Sequence, residues 1–198
     1  MYQLTAVLLF LLLPITAYSN VQRYEHLIIS TQIFTQADIN DIAVTHQEYA
    51  RLVTDNAWLS VMSERLKRFK PDQSERESFL RTVYYEAARA GLDPQLVLSV
   101  IQVESGFRKY AISHAGARGY MQIMPFWIET IGDEKHNLFH LRVNLRYGCM
   151  ILRHYLNKEN GDYFRALGRY NGSLGQATYP QLVFDILHGT WHYSQPAV

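Results

Sequence analysis

Residues 92–106 constrain this chain more than any other stretch. Leu92-Asp93-Pro94-Gln95-Leu96-Val97-Leu98-Ser99-Val100-Ile101-Gln102-Val103 runs directly into Glu104-Ser105-Gly106. Asp93 suits an N-cap, and Pro94 suits the first helical position, where its missing N–H leaves no gap. Val97, Val100, Ile101 and Glu104 then recur at i, i+3, i+4 and i+7, one face of an α-helix. The carboxyl group therefore extends a core-facing apolar stripe. Held against hydrocarbon, such a group has a raised pKa and keeps its proton near neutral pH, as a general acid must. Position alone leaves a second orientation open, with the carboxylate turned outward to water at the helix end.

The rest of the chain supports a helical domain. Its 198 residues suit one domain with a helical extension, and a 48% hydrophobic, 19% charged composition is that of a globular chain with a core. The net charge of +1 is too small to predict binding to nucleic acid. Residues 1–19 carry an apolar run of signal-peptide length, followed by Ala17-x-Ser19 before Asn20. No Lys or Arg precedes that run. The expectation is an exported, periplasmic protein; the alternative is an uncleaved segment 1–19 that anchors it to the inner membrane. Cys149 is the single cysteine, so no intrachain disulfide exists, and its apolar helical context reads as a small buried residue.

The helical reading continues in order. Ala37 to Leu52 is a weak helix candidate. Trp58, Val61, Met62, Arg65 and Phe69 follow helical spacing up to Pro71, with Arg65, Lys67, Arg68 and Lys70 as a solvated basic face. Ser74 to Ala90 reads as a helix capped by Ser74, with Phe79, Val83, Tyr84 and Ala87 inward and Gly91 as terminator. Asn144 to Asn157 and Asp162 to Tyr170 read as further helices. Residues 178–198 read as a closing helix and a loose tail. The expected layout is a leader at 1–19, a helical extension at 20–73, a catalytic domain at 74–188 and a tail at 189–198.

Between the helix of Glu104 and the next lies a loop with Gly106, Gly116 and Gly119, which allow positive φ and close backbone approach. Gly119-Tyr120-Met121-Gln122 then reads as the start of another helix, which continues through Ile123-Met124 until Pro125 interrupts or re-aims it. Taken alone, Met121 and Met124 are core residues, Tyr170 is a half-buried structural residue, and Phe126-Trp127 is either a core pair or a wall of a groove. His136 and His140 stand four apart, but Asn137 occupies the place where a His-Glu-x-x-His site has its Glu, so no metal is expected. Glu129, Asp133 and Glu134 read as an exposed acidic cluster.

Several of these elements together resemble the transglycosylase domain of the soluble lytic transglycosylases. The resemblance rests on Glu104-Ser105, Ala111-x-Ser113, Gly116-Ala117-x-Gly119, Gly119-Tyr120-Met121-Gln122-Ile123-Met124-Pro125 and Tyr170-Asn171-Gly172, in family-like order over roughly residues 80–185. Tyr120 stands where Leu is usual, and Gly172 falls one place early. The resemblance implies a mainly α, lysozyme-like domain that cleaves the β-1,4 bond between N-acetylmuramic acid and N-acetylglucosamine in peptidoglycan. It implies Glu104 as the acid and base, and Ser113, Gln122, Met124, Tyr170 and Asn171 as substrate-binding residues, with the Tyr170 hydroxyl facing the acid. It implies 1,6-anhydromuramic product ends and no cofactor or metal. The implied partner is the glycan strand. A cell-envelope machine and a membrane contact through the N-terminus are compatible partners that no residue names. A hydrolase on the same frame, similar to goose-type lysozyme, and a non-catalytic wall-binding module are the competing readings.

Overall fold

A computed structural model describes residues 56–194. The expected leader at 1–19 and the candidate helix Ala37 to Leu52 lie outside the described residues. Seven α-helices follow in order: α1 Asn56–Leu66, α2 Gln73–Arg89, α3 Pro94–Ser105, α4 Phe126–Ile131, α5 Leu141–Lys158, α6 Tyr163–Asn171 and α7 Thr178–Ile186. A π-helical turn, Leu187–Trp191, extends α7. Among the described residues there is no strand beyond isolated bridges, so the mainly α expectation holds.

The helix of Glu104 forms as its sequence dictates. The Asp93 side chain accepts from the Gln95 N–H at 2.8 Å, and Pro94 opens α3. Val97, Val100 and Ile101 are fully buried. Gly106 closes the helix in the left-handed region at φ 56°, its N–H on the Gln102 carbonyl at 3.0 Å. Phe107 follows at φ 63°, an uncommon conformation for a bulky residue. Burial offsets that cost, because the Phe107 ring lies 4.8 Å from Phe69, 5.9 Å from Phe79 and 5.6 Å from Trp191, centroid to centroid. The chain direction after Glu104 is thus fixed by an aromatic cluster in the core.

α2 starts one residue before Ser74, and Asp72 caps it, accepting from the Glu75 N–H at 2.7 Å. A carboxylate placed there also meets the positive end of the helix dipole, which the Ser74 hydroxyl cannot do as well. Gly91 ends α2 at φ 63° as expected. α5 packs against α2 and α6. The buried Glu86 of α2 receives Arg146 Nε and Nη2, each at 3.1 Å, and Arg142 Nε at 3.2 Å, both from α5. A carboxylate this enclosed needs that pairing, since an unpaired buried charge costs several kcal/mol.

Two expectations need correction. Lys70 is not part of a solvated basic face: it is 6% exposed. Its Nζ donates to Glu75 Oε1 at 2.6 Å and to the Tyr120 hydroxyl at 3.3 Å, and it lies over the rings of Phe79 and Tyr120. Partners on two sides make burial of the cation possible. The segment 119–123 is not the start of a helix either. It runs as turns, with Gln122 at φ 51°, and α4 begins only at Phe126 behind Pro125. The core also reaches beyond residue 188, for Trp191 is fully buried and its Nε1 donates to Gln102 Oε1 at 2.9 Å.

Asn144, fully buried on α5, ties the turns of 118–123 to the helical frame. Its Nδ2 donates to the carbonyls of Arg118 at 2.9 Å and Leu138 at 2.8 Å, and its Oδ1 accepts the Met121 N–H at 2.8 Å. Gly119 stands at φ 76°, and a Cβ there would sit 2.4 Å from Asn144 Nδ2 and 2.5 Å from the Leu138 carbonyl. Only glycine fits. Asn144→Ala would strand the Met121 N–H and the Leu138 carbonyl in the interior, while the Arg118 carbonyl keeps the Ile123 N–H at 3.0 Å. It is expected to lower unfolding free energy by about 2–4 kcal/mol, measured by urea denaturation.

Candidate active site

The end of α3, the 108–124 loop, the end of α6 and the start of α7 enclose a cleft of about 980 Å³. Glu104 lies at its wall, partly accessible from the cleft side. Burial pushes its carboxyl pKa up from 4.5 to about 7, against the opposing effect of a hydrogen bond from the Tyr179 hydroxyl to Oε1 at 2.6 Å. The loss of hydration is the larger influence. The orientation toward the core side, rather than outward to bulk water, is the one observed. A carboxyl group that titrates near neutrality can both give and take a proton there.

Tyr179 was missed in the sequence. It comes from α7, 75 residues after Glu104, in a segment read only as a closing helix. Its phenol is buried, and burial together with the facing Glu104 carboxylate holds its pKa well above the usual tyrosine range. It remains a hydrogen-bond donor at any physiological pH. Thr178-Tyr179-Pro180 gives little warning of this role, because a tyrosine beside a helix-opening proline is an ordinary packing residue.

The six residues singled out in the sequence, Glu104, Ser113, Gln122, Met124, Tyr170 and Asn171, all line this cleft. Tyr170 is buried and donates to the Met121 carbonyl at 2.8 Å. Its phenol is close enough to Glu104 for that charge to help raise its pKa, behind the effect of burial. The hydrogen bond seen on Oε1 comes from Tyr179. Asn171 ends α6 beside Gly172, which turns the chain at φ 78°. Met124 is half-buried with a face on the cleft, whereas Met121 is fully buried against Gly148.

The loop owes its shape to short backbone pairings. Arg118 bridges both Ile112 and Ile123, and the Ser113 N–H donates to the Ala117 carbonyl at 3.0 Å. The Ser113 hydroxyl accepts from the Ala117 N–H at 3.1 Å, which leaves its own proton for a ligand. Gln122 Nε2 donates to the carbonyls of Gly119 at 2.9 Å and Ala111 at 3.2 Å, so Oε1 is left as an acceptor at the cleft wall. The Ser105 hydroxyl reaches the Tyr120 carbonyl at 2.7 Å and stitches the end of α3 to this loop. Trp127 is almost fully buried but shows an edge to the cleft, and its ring packs on Phe126.

Among the described residues, no group of three or more His, Cys, Asp or Glu could hold a metal ion. His136 instead meets the Tyr147 hydroxyl at 2.9 Å through Nδ1. Cys149 is buried and free, its thiol pKa pushed well up by burial.

With this geometry in place, comparisons with known proteins are specific. The family described as "Transglycosylase SLT domain" matches residues 82–180, half of the chain. A transglycosylase of Enterobacteria phage PRD1 is 35% identical over 98 residues, covering 50% of this chain and 36% of that protein. The membrane-bound lytic murein transglycosylase C of Actinobacillus pleuropneumoniae serotype 5b (strain L20) is 45% identical over 47 residues, covering 24% of this chain and 13% of that protein. The chain thus spans about a third or less of the length of these relatives. An inactive mutant of the lytic transglycosylase Slt from Pseudomonas aeruginosa is similar in structure, with a TM-score of 0.44 and 24% identity over 54% of this chain and 20% of that one. The matched span runs from within α2 through Glu104 and the glycine loop to Pro180, and so includes Tyr179. The chain belongs to the transglycosylase SLT domain family.

Proposed function

We propose that this chain is a peptidoglycan lytic transglycosylase. In this reading it cleaves the β-1,4 bond from N-acetylmuramic acid to N-acetylglucosamine and leaves 1,6-anhydromuramic ends. The observation that carries the reading is a single carboxyl group on a cleft wall, poised near neutral pH by burial and held by one phenol. In the first step Glu104 gives its proton to the glycosidic oxygen as the bond to C1 breaks. The positive charge at C1 is met by the substrate's own N-acetyl oxygen, so no second enzymic carboxylate is required. In the second step the Glu104 carboxylate takes the proton of the muramic C6 hydroxyl, whose oxygen bonds to C1. The proton count closes, the acid is regenerated and no water is consumed.

The phenols support the two charge states of the acid unequally. Tyr179 donates to the carboxylate and so steadies the anion between the two steps. Tyr170 fixes the Met121 carbonyl, and with it the turn that presents Gln122 and Met124. Ser113, Gln122 and Asn171 supply donors and acceptors for sugar hydroxyl and N-acetyl groups. The family and its relatives' names support peptidoglycan as the polymer. A periplasmic location, reached by export that residues 1–19 direct, belongs to the same proposal. No helix among the described residues is long and apolar enough to cross a membrane.

Mass spectrometry of fragments released from purified wall tests the reaction. Anhydromuramic ends are expected; reducing ends, carrying one added water, would instead mark a hydrolase. Glu104→Gln should abolish release, a loss of at least about a thousandfold for a group that serves as both acid and base.

Removing the Tyr179 hydroxyl by Tyr179→Phe takes a hydrogen bond from the anion, so the Glu104 pKa should rise above about 7. The alkaline limb of the kcat/KM profile should then move to higher pH, while kcat falls by about tenfold. A profile that keeps its limb would deny the phenol this role.

The same carboxyl group also affects stability. Its folded pKa is raised, so between about pH 4.5 and about pH 7 the folded protein holds a proton that the unfolded chain has lost. Stability should therefore fall as pH rises through that window. Glu104→Gln should remove this part of the decline, seen as a Tm gain over the parent that grows from acid to neutral pH.

A further inference from the structure

The chain from α7 onward grips α3 along its length. α7 continues without a break into the π turn Leu187–Trp191, and both pack against α3. Tyr179, in the first turn of α7, donates to Glu104. Trp191, at the end of the π turn, donates through Nε1 to Gln102 Oε1 at 2.9 Å. Beyond it, the Tyr193 N–H donates to Gln95 Oε1 at 2.5 Å, and Arg65 of α1 donates to the His192 carbonyl at 2.8 Å. Gln95 and Gln102 stand two turns apart on one face of α3. Trp191 is the centre of this grip. It is fully buried, and its ring lies 5.6 Å from that of Phe107. Its two partners therefore bracket the acid, Gln102 before Glu104 and Phe107 after it. The Gln102 carbonyl also accepts the Gly106 N–H at 3.0 Å, so the same residue belongs to the turn that closes α3.

One side chain thus ties the acid-bearing end of α3 to the far end of the element whose near end covers the acid. We propose that Trp191, acting through Gln102, is a positioning residue for Glu104: it holds α7 over the carboxyl group and so decides how much water reaches it. This inference rests on the proposed function and names a residue outside the matched family span, which ends at residue 180. The titratable groups around Glu104 are Tyr179 from α7, Tyr170 from α6, and the exposed Arg108, Lys109 and His114 of the loop that lines the cleft. Near the grip stand Arg65 of α1 and the exposed His188 and His192. Trp191 and Gln102 carry no charge, so they act on the acid through geometry. Loosening the grip has a definite sign. Cover from water raises the Glu104 pKa, the Tyr179 hydrogen bond lowers it, and the first effect is the larger. Weakening both together should lower the pKa, whereas Tyr179→Phe removes only the second and should raise it.

The test follows the Glu104 carboxyl carbon by NMR through a pH titration of the full chain, in the parent and in two variants. Trp191→Phe keeps a ring beside Phe107 and removes the indole N–H. Gln102→Met keeps the side-chain length and removes the acceptor. In each variant the midpoint should fall from about 7 to about 6 or lower. The alkaline limb of kcat/KM on purified wall should move down with it. The double variant should shift no further than either single one, because both remove the same bond. A residue that only fills the core would lower Tm and leave the midpoint in place. An unchanged or raised midpoint in the folded variants would therefore overturn the proposal, and Gln102→Met alone decides if Trp191→Phe does not fold. A midpoint that falls in the variants while the parent releases no anhydromuramic ends would uphold the positioning role and overturn the proposed reaction.

Discussion

A carboxyl group that is to hold a proton at neutral pH must be kept from water, and the arrangement of this molecule follows from that requirement. Glu104 sits at the last turn of α3 on the line of Val97, Val100 and Ile101, so the burial of that stripe carries the acid inward with it. Full enclosure would leave it without a substrate. The cleft solves this by exposing one side of the group while α7 covers another with Tyr179. Desolvation raises the pKa, the phenol lowers it, and the balance falls near 7 because the first effect is the stronger.

The surrounding loop is irregular, and irregular backbone needs satisfied partners. Asn144 supplies three of them from α5, and Gly119 makes room for its side chain. Gly148 likewise has no side chain where Met121 packs: a Cβ there would lie 2.3 Å from the Met121 sulfur. The polar hub and the small-residue contact together bring the loop close against α5. Phe107 and Lys70 hold the loop from the other side, through the aromatic cluster and the Tyr120 hydroxyl. Residues outside the matched family span, Lys70 and Trp191 among them, thus pack directly behind the site.

Local patterns were readable where local physics decides. The Asp93-Pro94 start of α3, its glycine end and its buried stripe follow from capping and periodicity alone. Glu104 was legible on its helix face, but the other five cleft residues only through ordered motifs, since Ser113 or Asn171 taken singly carries no chemical signature. What stayed hidden depended on long-range contacts. Lys70 looked solvated because neighbouring cations at a helix end usually are; its partners Glu75 and Tyr120 are brought to it by the turn into α2 and by the loop. The 119–123 turns looked helical by composition, but Asn144, more than twenty residues on, takes the Met121 N–H that a helix would have used. Tyr179 was hidden for the same reason, being paired with an acid far back in the chain.

The central claim is the protonation state of one side chain, and it can be read without any substrate. Carbon-13 NMR of protein labelled at the glutamate side-chain carboxyl carbon, with Glu104→Gln assigning the resonance, follows that group through a pH titration. A midpoint near 7 is the predicted result. A midpoint in the ordinary carboxylate range, about 4.3, would show Glu104 to be a hydrated anion at neutral pH and would contradict the account.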